Sequence, residues 1–447
     1  MRRLRQLAER TPAGRERYVD LLRALAIIMV VIGHWGVTVI GYDRAGRPTG
    51  HSALGDLPWA WPLTWVAQVI PVFFLVGGYA NAASLTARRS RGGDATGWLV
   101  DRSARLIRPT TALVVVLTLG AAVARLRGAD PVEIRTVVWF ATIPLWFLVA
   151  YLIVVPLTPP MYALHRRFGL LVPLVLVGLV ALGDLGRLLG PAGLATGNYL
   201  FGWLAVHQLG FAWYDARSPS TPRRRRLPTS RRAGAVLLGG GLAALVLLTI
   251  VGPYPVVMLN VPGERLDNAA PPSLALLAVA TAQLGLILLL HDPAERWLRR
   301  PGPWQAVIAV NSVVLTIFLW HLTAAVLLIG VLNALGVLPT PRVGSADWWA
   351  WRVPWLLTLT VVLAALVAVF GPIEARTRRH GEPTPGGSVR TALAVAGYAG
   401  VVAGLLLNSL TRKAAPEPLG LPAPALVAYL AGAGVLRLLR SGWGSRG

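Results

Sequence analysis

Apolar residues run along this chain in long blocks. Short polar segments rich in Arg, Pro and Gly separate them. Twelve blocks stand out, at roughly 18–40, 62–86, 109–125, 136–158, 169–189, 197–215, 233–251, 273–291, 306–332, 350–370, 391–409 and 421–440. A bilayer core about 30 Å thick needs roughly 20 apolar residues of helix, so each block suits one crossing. The pattern predicts an all-α, polytopic transmembrane helix bundle. Its expected organisation is a basic tail (1–17), a membrane domain of about ten core helices (18–380), and an appended C-terminal hairpin (381–447). No internal repeat of the kind that marks many transporters is visible.

Composition agrees. Of 447 residues, 55% are hydrophobic and only 14% charged, where a soluble chain carries nearer a quarter charged. There is no cysteine, which excludes disulfides and thiolate metal sites. No Glu/His cluster along the sequence suggests another metal. The apolar run after the basic start has no small-residue cleavage site and reads as a retained first helix. The formal net charge of +24 raises the thought of nucleic acid. Position argues against it. With the N-terminus inside, Arg2, Arg3, Arg5, Arg88, Arg89, Arg91, Arg166, Arg167, Arg223 to Arg226, Arg299, Arg300, Arg376, Arg378 and Arg379 all share one side. Roughly 31 basic residues then lie inside and about 11 outside, as expected of a multi-pass protein of the cell membrane with a cytoplasmic N-terminus. Trp59, Trp61 and Trp65, and again Trp348, Trp349 and Trp351, fall at the opposite ends of their spans, where interfacial aromatic belts sit. Membrane lipid, and not nucleic acid, is the expected partner of the charge.

The first span, "RYVDLLRALAIIMVVIGHW", departs from the apolar rule at Asp20, Arg23 and His34. Eleven helical steps of about 100° bring position 34 back to within about 20° of position 23, some 16 Å along the axis. Asp20 lies one turn before Arg23 and can pair with it. Taken singly, Arg23 also reads as a snorkelling interfacial residue and His34 as a histidine bonded to a neighbouring helix. Ionisable groups inside a membrane cost about 2.5 kcal/mol or more and usually face a bundle interior. Three on one face point to a polar seam.

These residues resemble the first-helix signature of the membrane acyltransferase-3 family, in which Arg, ten residues and His follow one another. Arg23 and His34 keep that spacing, and Asp20 matches the acidic residue before the Arg. "VFFLVGGYA" (72–80), "DRSARLIRP" (101–109), "LWFLVAYL" (145–152) and "NSVVLTIFLWHL" (311–322) resemble later family segments in order. In the last of these Phe318 stands where Tyr is usual. "PIEARTRR" (372–379) keeps only Glu374 of the Glu-Lys-Pro ending. The resemblance covers about 17–380 and leaves out the hairpin. It implies acyl transfer from cytoplasmic acyl-CoA, by default acetyl-CoA, to a hydroxyl of an acceptor such as a cell-surface or lipid-linked glycan. No bound cofactor is implied.

The residue types suit that chemistry. A hydroxyl needs a base that titrates near neutrality, which His34 supplies, with His321 as a paired or accessory residue. Donor phosphates need Arg, and Arg102, Arg105 and Arg108 recur every three residues at the inner mouth. The same spacing also suits an amphipathic stretch on anionic lipid. His321 equally fits helix packing, and His207 more so. Trp146 and Tyr79 read as packing or belt aromatics as well as substrate platforms, and Ser312 lacks a Gly-x-Ser-x-Gly frame. The loop "VPGERLDNAAPPS" offers Arg265, Asp267 and Asn268 to an acceptor, or to solvent. Two rival functions stay open: a non-catalytic carrier or flippase for lipid-linked glycans using the same seam, and an acceptor-sensing scaffold.

Overall fold

The computed structural model describes residues 15–42, 46–218, 221–264, 266–375 and 387–441. Arg2, Arg3, Arg5, Arg265, Arg376, Arg378 and Arg379 lie outside them. Helix α1 (Arg17–Val37) leads into a two-stranded antiparallel ribbon, β1 (Thr38–Tyr42) and β2 (Pro48–Ser52), with Thr38 opposite Ser52. The chain continues through α2 (Ile70–Arg89), α3 (Ala95–Leu126), α4 (Pro131–Thr142), α5 (Leu145–Val154), α6 (Thr158–Phe168), α7 (Leu171–Leu189) and α8 (Asn198–Asp215). Then follow α9 (Arg231–Val246), α10 (Leu274–Leu298), α11 (Pro301–Ser312), α12 (Val314–Ala334), α13 (Ala346–Ala375), α14 (Ser388–Leu410) and α15 (Ala423–Arg440).

Among the described residues, eleven helical segments are long and apolar enough to cross a membrane. The protein is therefore an all-α polytopic bundle. The twelfth expected crossing, α8, forms but is not among the eleven. Its buried residues include Asn198, His207, Gln208 and Asp215, which lower its hydropathy. Thirteen of its 18 residues are buried because other helices surround it. Glycines let α2 approach it closely. A Cβ at Gly78 would collide with the His207 carbonyl, and one at Gly210 with that of Leu75.

Two expected spans are divided. The block at 136–158 breaks at Pro144, which ends one helix and opens the next, so the crossing segment is Leu145–Phe168. The block at 306–332 breaks at Val313, whose φ of −136° and ψ of 20° are not helical. The third span begins earlier than expected: Asp94 caps α3 by accepting from the Gly97 amide at 2.9 Å, and the helix runs on through Pro109. The first span ends at Val37, where Thr38, Val39 and Ile40 turn into β1.

The C-terminal hairpin is tied into the core. Arg135 on α4 is fully buried. Its Nη1 donates to Asn408 Oδ1 at 2.7 Å and to the Gly420 carbonyl at 3.0 Å. Its Nη2 donates to the carbonyls of Asn408 (3.0 Å) and Thr411 (2.9 Å), and Nε to that of Arg412 at 3.3 Å. Three of these carbonyls end α14, where the helix dipole is negative, so the cation is held without a carboxylate at hydrogen-bond distance. Tyr398 Oη donates to the Leu152 carbonyl at 2.7 Å, and Tyr429 Oη lies 3.0 Å from Thr111 Oγ1. Replacing Arg135 by Met leaves those acceptors without a donor. It should destabilise the hairpin by on the order of 3 kcal/mol. The expected result is a lower Tm in detergent and faster trypsin cleavage between α14 and α15. An unchanged Tm and cleavage rate would contradict this role.

Candidate active site

The bundle has a basic end, carrying Arg15, Arg17, Arg88, Arg89, Arg299 and Arg300. The other end carries Trp59, Trp61, Trp348 and Trp349. Helix α1 connects them. At its basic end Asp20 accepts from Arg15 Nε at 2.7 Å and pairs with Arg23 Nη1 at 3.5 Å. Asn311 Nδ2 fixes the same turn by donating to the Asp20 carbonyl at 2.9 Å. Arg102 reaches the same region: its Nη2 donates to Tyr151 Oη at 3.2 Å, and its charge acts on Arg23. Arg105 and Arg108 are exposed, so of the three arginines only Arg102 turns inward.

Near the other end of α1, His34 meets His321 of α12, with His34 Nδ1 and His321 Nε2 3.3 Å apart. The tautomers follow from their other partners. A carbonyl cannot donate, so His321 Nδ1, 2.5 Å from the Phe318 carbonyl, carries a proton. Neutral His321 therefore offers a lone pair at Nε2. His34 Nδ1, also 2.9 Å from the Val30 carbonyl, carries the proton that both acceptors share. In the neutral ring this leaves the lone pair on His34 Nε2.

His34 lines a cavity of about 610 Å³ that opens toward the Trp end. Phe73, Trp146, Phe147 and Phe318 share the wall, and the loop residues Asn260 and Asp267 stand at its mouth. Phe147 also stacks on Tyr151, with centroids 6.3 Å apart, and packs on Phe318 at 5.5 Å. An aromatic layer thus lies between the Arg23–Arg102 seam and the His34 cavity.

Other contacts hold the histidine pair. Trp35 Nε1 donates to the His321 carbonyl at 3.0 Å, and Trp355 Nε1 donates to the Trp35 carbonyl at 3.2 Å. Arg352 Nη1 donates to the Thr38 carbonyl at 2.8 Å. The start of α12, left open by the break at Val313, is closed by Glu374. Its carboxylate accepts from the amides of Leu315 (3.1 Å) and Thr316 (2.7 Å) and from Thr316 Oγ1 (2.7 Å). This is an anion at a helix N-terminus, where the dipole favours it. Trp355 and Arg352 were not singled out from the sequence, whereas Trp35, Phe147 and Tyr151 lie within segments that carry the family resemblance but were given no role of their own.

Several expected residues lie elsewhere. Tyr79 packs in the core against Trp213 and Tyr214. Ser312 donates back to the Ala309 carbonyl at 2.7 Å. Asn268 is fully buried and faces its own loop, not an acceptor. Its amide donates to the carbonyls of Pro255 and Val257, and its Oδ1 accepts from Ser273. Asp267, from the same loop, does line the cavity, while Arg265 falls outside the described residues. Buried His207 contacts Asn81 Nδ2 at 3.1 Å, away from the His34 pair. Folding does bring Glu16, His291 and Glu295 together at the basic end, which no run of sequence foretells. Those atoms have protein partners: His291 Nε2 is 2.6 Å from Glu16, and Glu295 accepts from the Tyr18 amide at 2.7 Å. The cluster reads as ion pairing between α1 and α10.

A family model described as an acyltransferase domain matches residues 16–372, which is most of the chain and includes His34, His321, Arg23 and Arg102. The chain belongs to the acyltransferase-3 family. It is an acyltransferase of the kind that moves groups other than amino-acyl groups, and a multi-pass membrane protein. No curated protein and no solved structure matches it. The match ends just before Glu374 and leaves α14 and α15 outside.

The histidine pair yields a graded prediction. His34→Gln keeps hydrogen bonding but has no ring nitrogen to take a proton, so turnover should fall by about 10²-fold or more with insertion and Tm unchanged. His321→Gln retains an acceptor for His34 Nδ1–H and should lose less, about tenfold, whereas His321→Leu should approach the His34→Gln level. Equal activity of His321→Leu and wild type would remove His321 from the site.

Proposed function

We propose that the protein moves an acyl group, acetyl by default, from cytoplasmic acyl-CoA to a hydroxyl of an acceptor that enters from the Trp end. The observation that carries this reading is the His34 Nε2 lone pair on the wall of a cavity, with Nδ1 held by Val30 and His321. A hydroxyl placed there can lose its proton to Nε2 while its oxygen attacks the thioester carbon. The carbon–sulfur bond breaks, and the proton passes to the leaving thiolate. His321 keeps Nδ1 of His34 engaged throughout, and so holds the ring in orientation when it becomes imidazolium.

The donor enters from the other end. Excess arginine at the basic end supports placing that end in the cytoplasm of a cell membrane. Arg102 and Arg23 form the inward-facing part of that charge and would take the donor's phosphates or carbonyl. The pantetheine arm would then extend along α1 past Phe147, over the roughly 16 Å that separate Arg23 from His34. Among acceptors, the family resemblance points to a cell-surface or lipid-linked glycan, whose hydroxyls meet the chemical requirement. The family match supports the enzyme over a carrier or flippase.

Acyl-CoA binding tests the donor half. Arg102→Ala should weaken the calorimetric affinity for acetyl-CoA about tenfold or more, the loss of one charge-assisted contact. Arg108→Ala, on the exposed side of α3, should weaken it less than threefold. Equal effects of the two substitutions would favour a general lipid-surface role for all three arginines.

A further inference from the structure

The cavity beside His34 restricts what can fill it. Apart from tryptophan indoles, its wall carries the polar side chains of His34, Thr64, Gln68, Asn260 and Asp267. Thr64 Oγ1 donates to the Trp61 carbonyl and accepts from the Met258 amide at 2.9 Å. Gln68 is buried, and its amide nitrogen donates to the Met258 carbonyl at 2.9 Å. Asn260 and Asp267 bond each other at 2.9 Å, and Asp267 Oδ1 also accepts two loop amides. Only His34, deep in the cavity, has an open ring nitrogen. The indoles of Trp59, Trp146, Trp348 and Trp349 also lie on the wall; Trp348 is 2% exposed and its Nε1 is enclosed by protein, not open to the cavity. The remaining wall is aliphatic and aromatic, and the rim is too, with Trp59 63% and Leu63 60% exposed.

A polar sugar buried here would leave most of its hydroxyls unpaired, at a cost for each. A compact apolar molecule would not. The volume of about 610 Å³ matches pockets that enclose drug-sized ligands. We infer that the acceptor is an amphipathic alcohol: one reacting hydroxyl at His34 and a largely apolar body of drug-like size filling the cavity. This rests on the acyl-transfer reading above and names the substrate class of that site. It departs from the cell-surface or lipid-linked glycan that the family resemblance suggests, and favours a fused-ring, macrocyclic or lipid alcohol.

Two glycines make the inference testable without breaking the fold. Gly33 and Gly36 line the cavity on either side of His34, and a Cβ at either position meets nothing within 4 Å. Gly36→Phe should fill the cavity, leaving Tm and acetyl-CoA affinity unchanged. The full chain in lipid nanodiscs would be given radiolabelled estradiol, 2-naphthylethanol or maltotriose, and separately diacylglycerol within the nanodisc. Saturable binding of an apolar alcohol by wild type, weakened about tenfold or more in Gly36→Phe, is the expected result. Binding of maltotriose but of no apolar alcohol, or saturable binding of none, would overturn the inference. Transfer from labelled acetyl-CoA is scored separately. Apolar alcohols that bind yet stay unacetylated by an acetyl-CoA-binding enzyme would count against the acyl-transfer reading while leaving the cavity's ligand class standing. Acetylation of diacylglycerol rather than the dissolved alcohols would assign the apolar body to a bilayer lipid, and the reverse to a dissolved molecule.

Discussion

The proposed base needs a lone pair in the right place, and on His34 that depends on what the other ring nitrogen is made to do. The Val30 carbonyl and His321 Nε2 both accept from Nδ1, and His321 can accept only because its own Nδ1 is committed to the Phe318 carbonyl. The chain of constraint therefore starts on α12 and ends as an open nitrogen on α1. Much of the surrounding structure serves to hold these two helices in register. Trp35 bonds the His321 backbone, Trp355 and Arg352 hold the backbone around Trp35, and Glu374 closes the start of the broken helix that carries His321.

The same arrangement separates two chemistries. Charge is gathered at the basic end, where Arg23 and Arg102 face inward among Asp20 and Tyr151. The far cavity is largely apolar, with the side chains of His34, Thr64 and Gln68 on its wall and Asn260 and Asp267 at its mouth. Phe147 stands between them, touching Tyr151 on one side and lining the cavity on the other. A phosphate-bearing donor and an apolar acceptor would then each meet a compatible surface, with the thioester arm as the only part required to pass the aromatic layer.

Much of the fold was legible because membrane helices are written in hydropathy, which needs no tertiary knowledge. Pro144 marks a break that the sequence already contains. The break at Val313 is different: no Gly or Pro signals it, and the carboxylate that stabilises it comes from Glu374, far along the chain. Helix α8 reads as a crossing, yet its polar residues are tolerated only because other helices surround it. At the site, one unbroken helix carries Arg23 and His34, and its phase puts them on one face. It could not say which of Arg102, Arg105 and Arg108 turns inward, since residues spaced by three step about 60° around a helix, and the row drifts from an inward to an exposed face. Asn268 looked like a loop residue open to an acceptor, and it is instead spent on its own loop. Arg135, beside the predicted edge of a span, gave no sign that it locks the hairpin.

The histidine ring nitrogens provide the most direct test of this account. Nitrogen-15 NMR of histidine-labelled protein near pH 7.5, with His34 assigned by its loss in His34→Gln, reports which nitrogen bears the proton. The account predicts a neutral His34 protonated at Nδ1 and bare at Nε2, with the balance shifting toward mixed tautomers in His321→Leu. A His34 that carries its proton on Nε2, or a tautomer indifferent to His321, would contradict it.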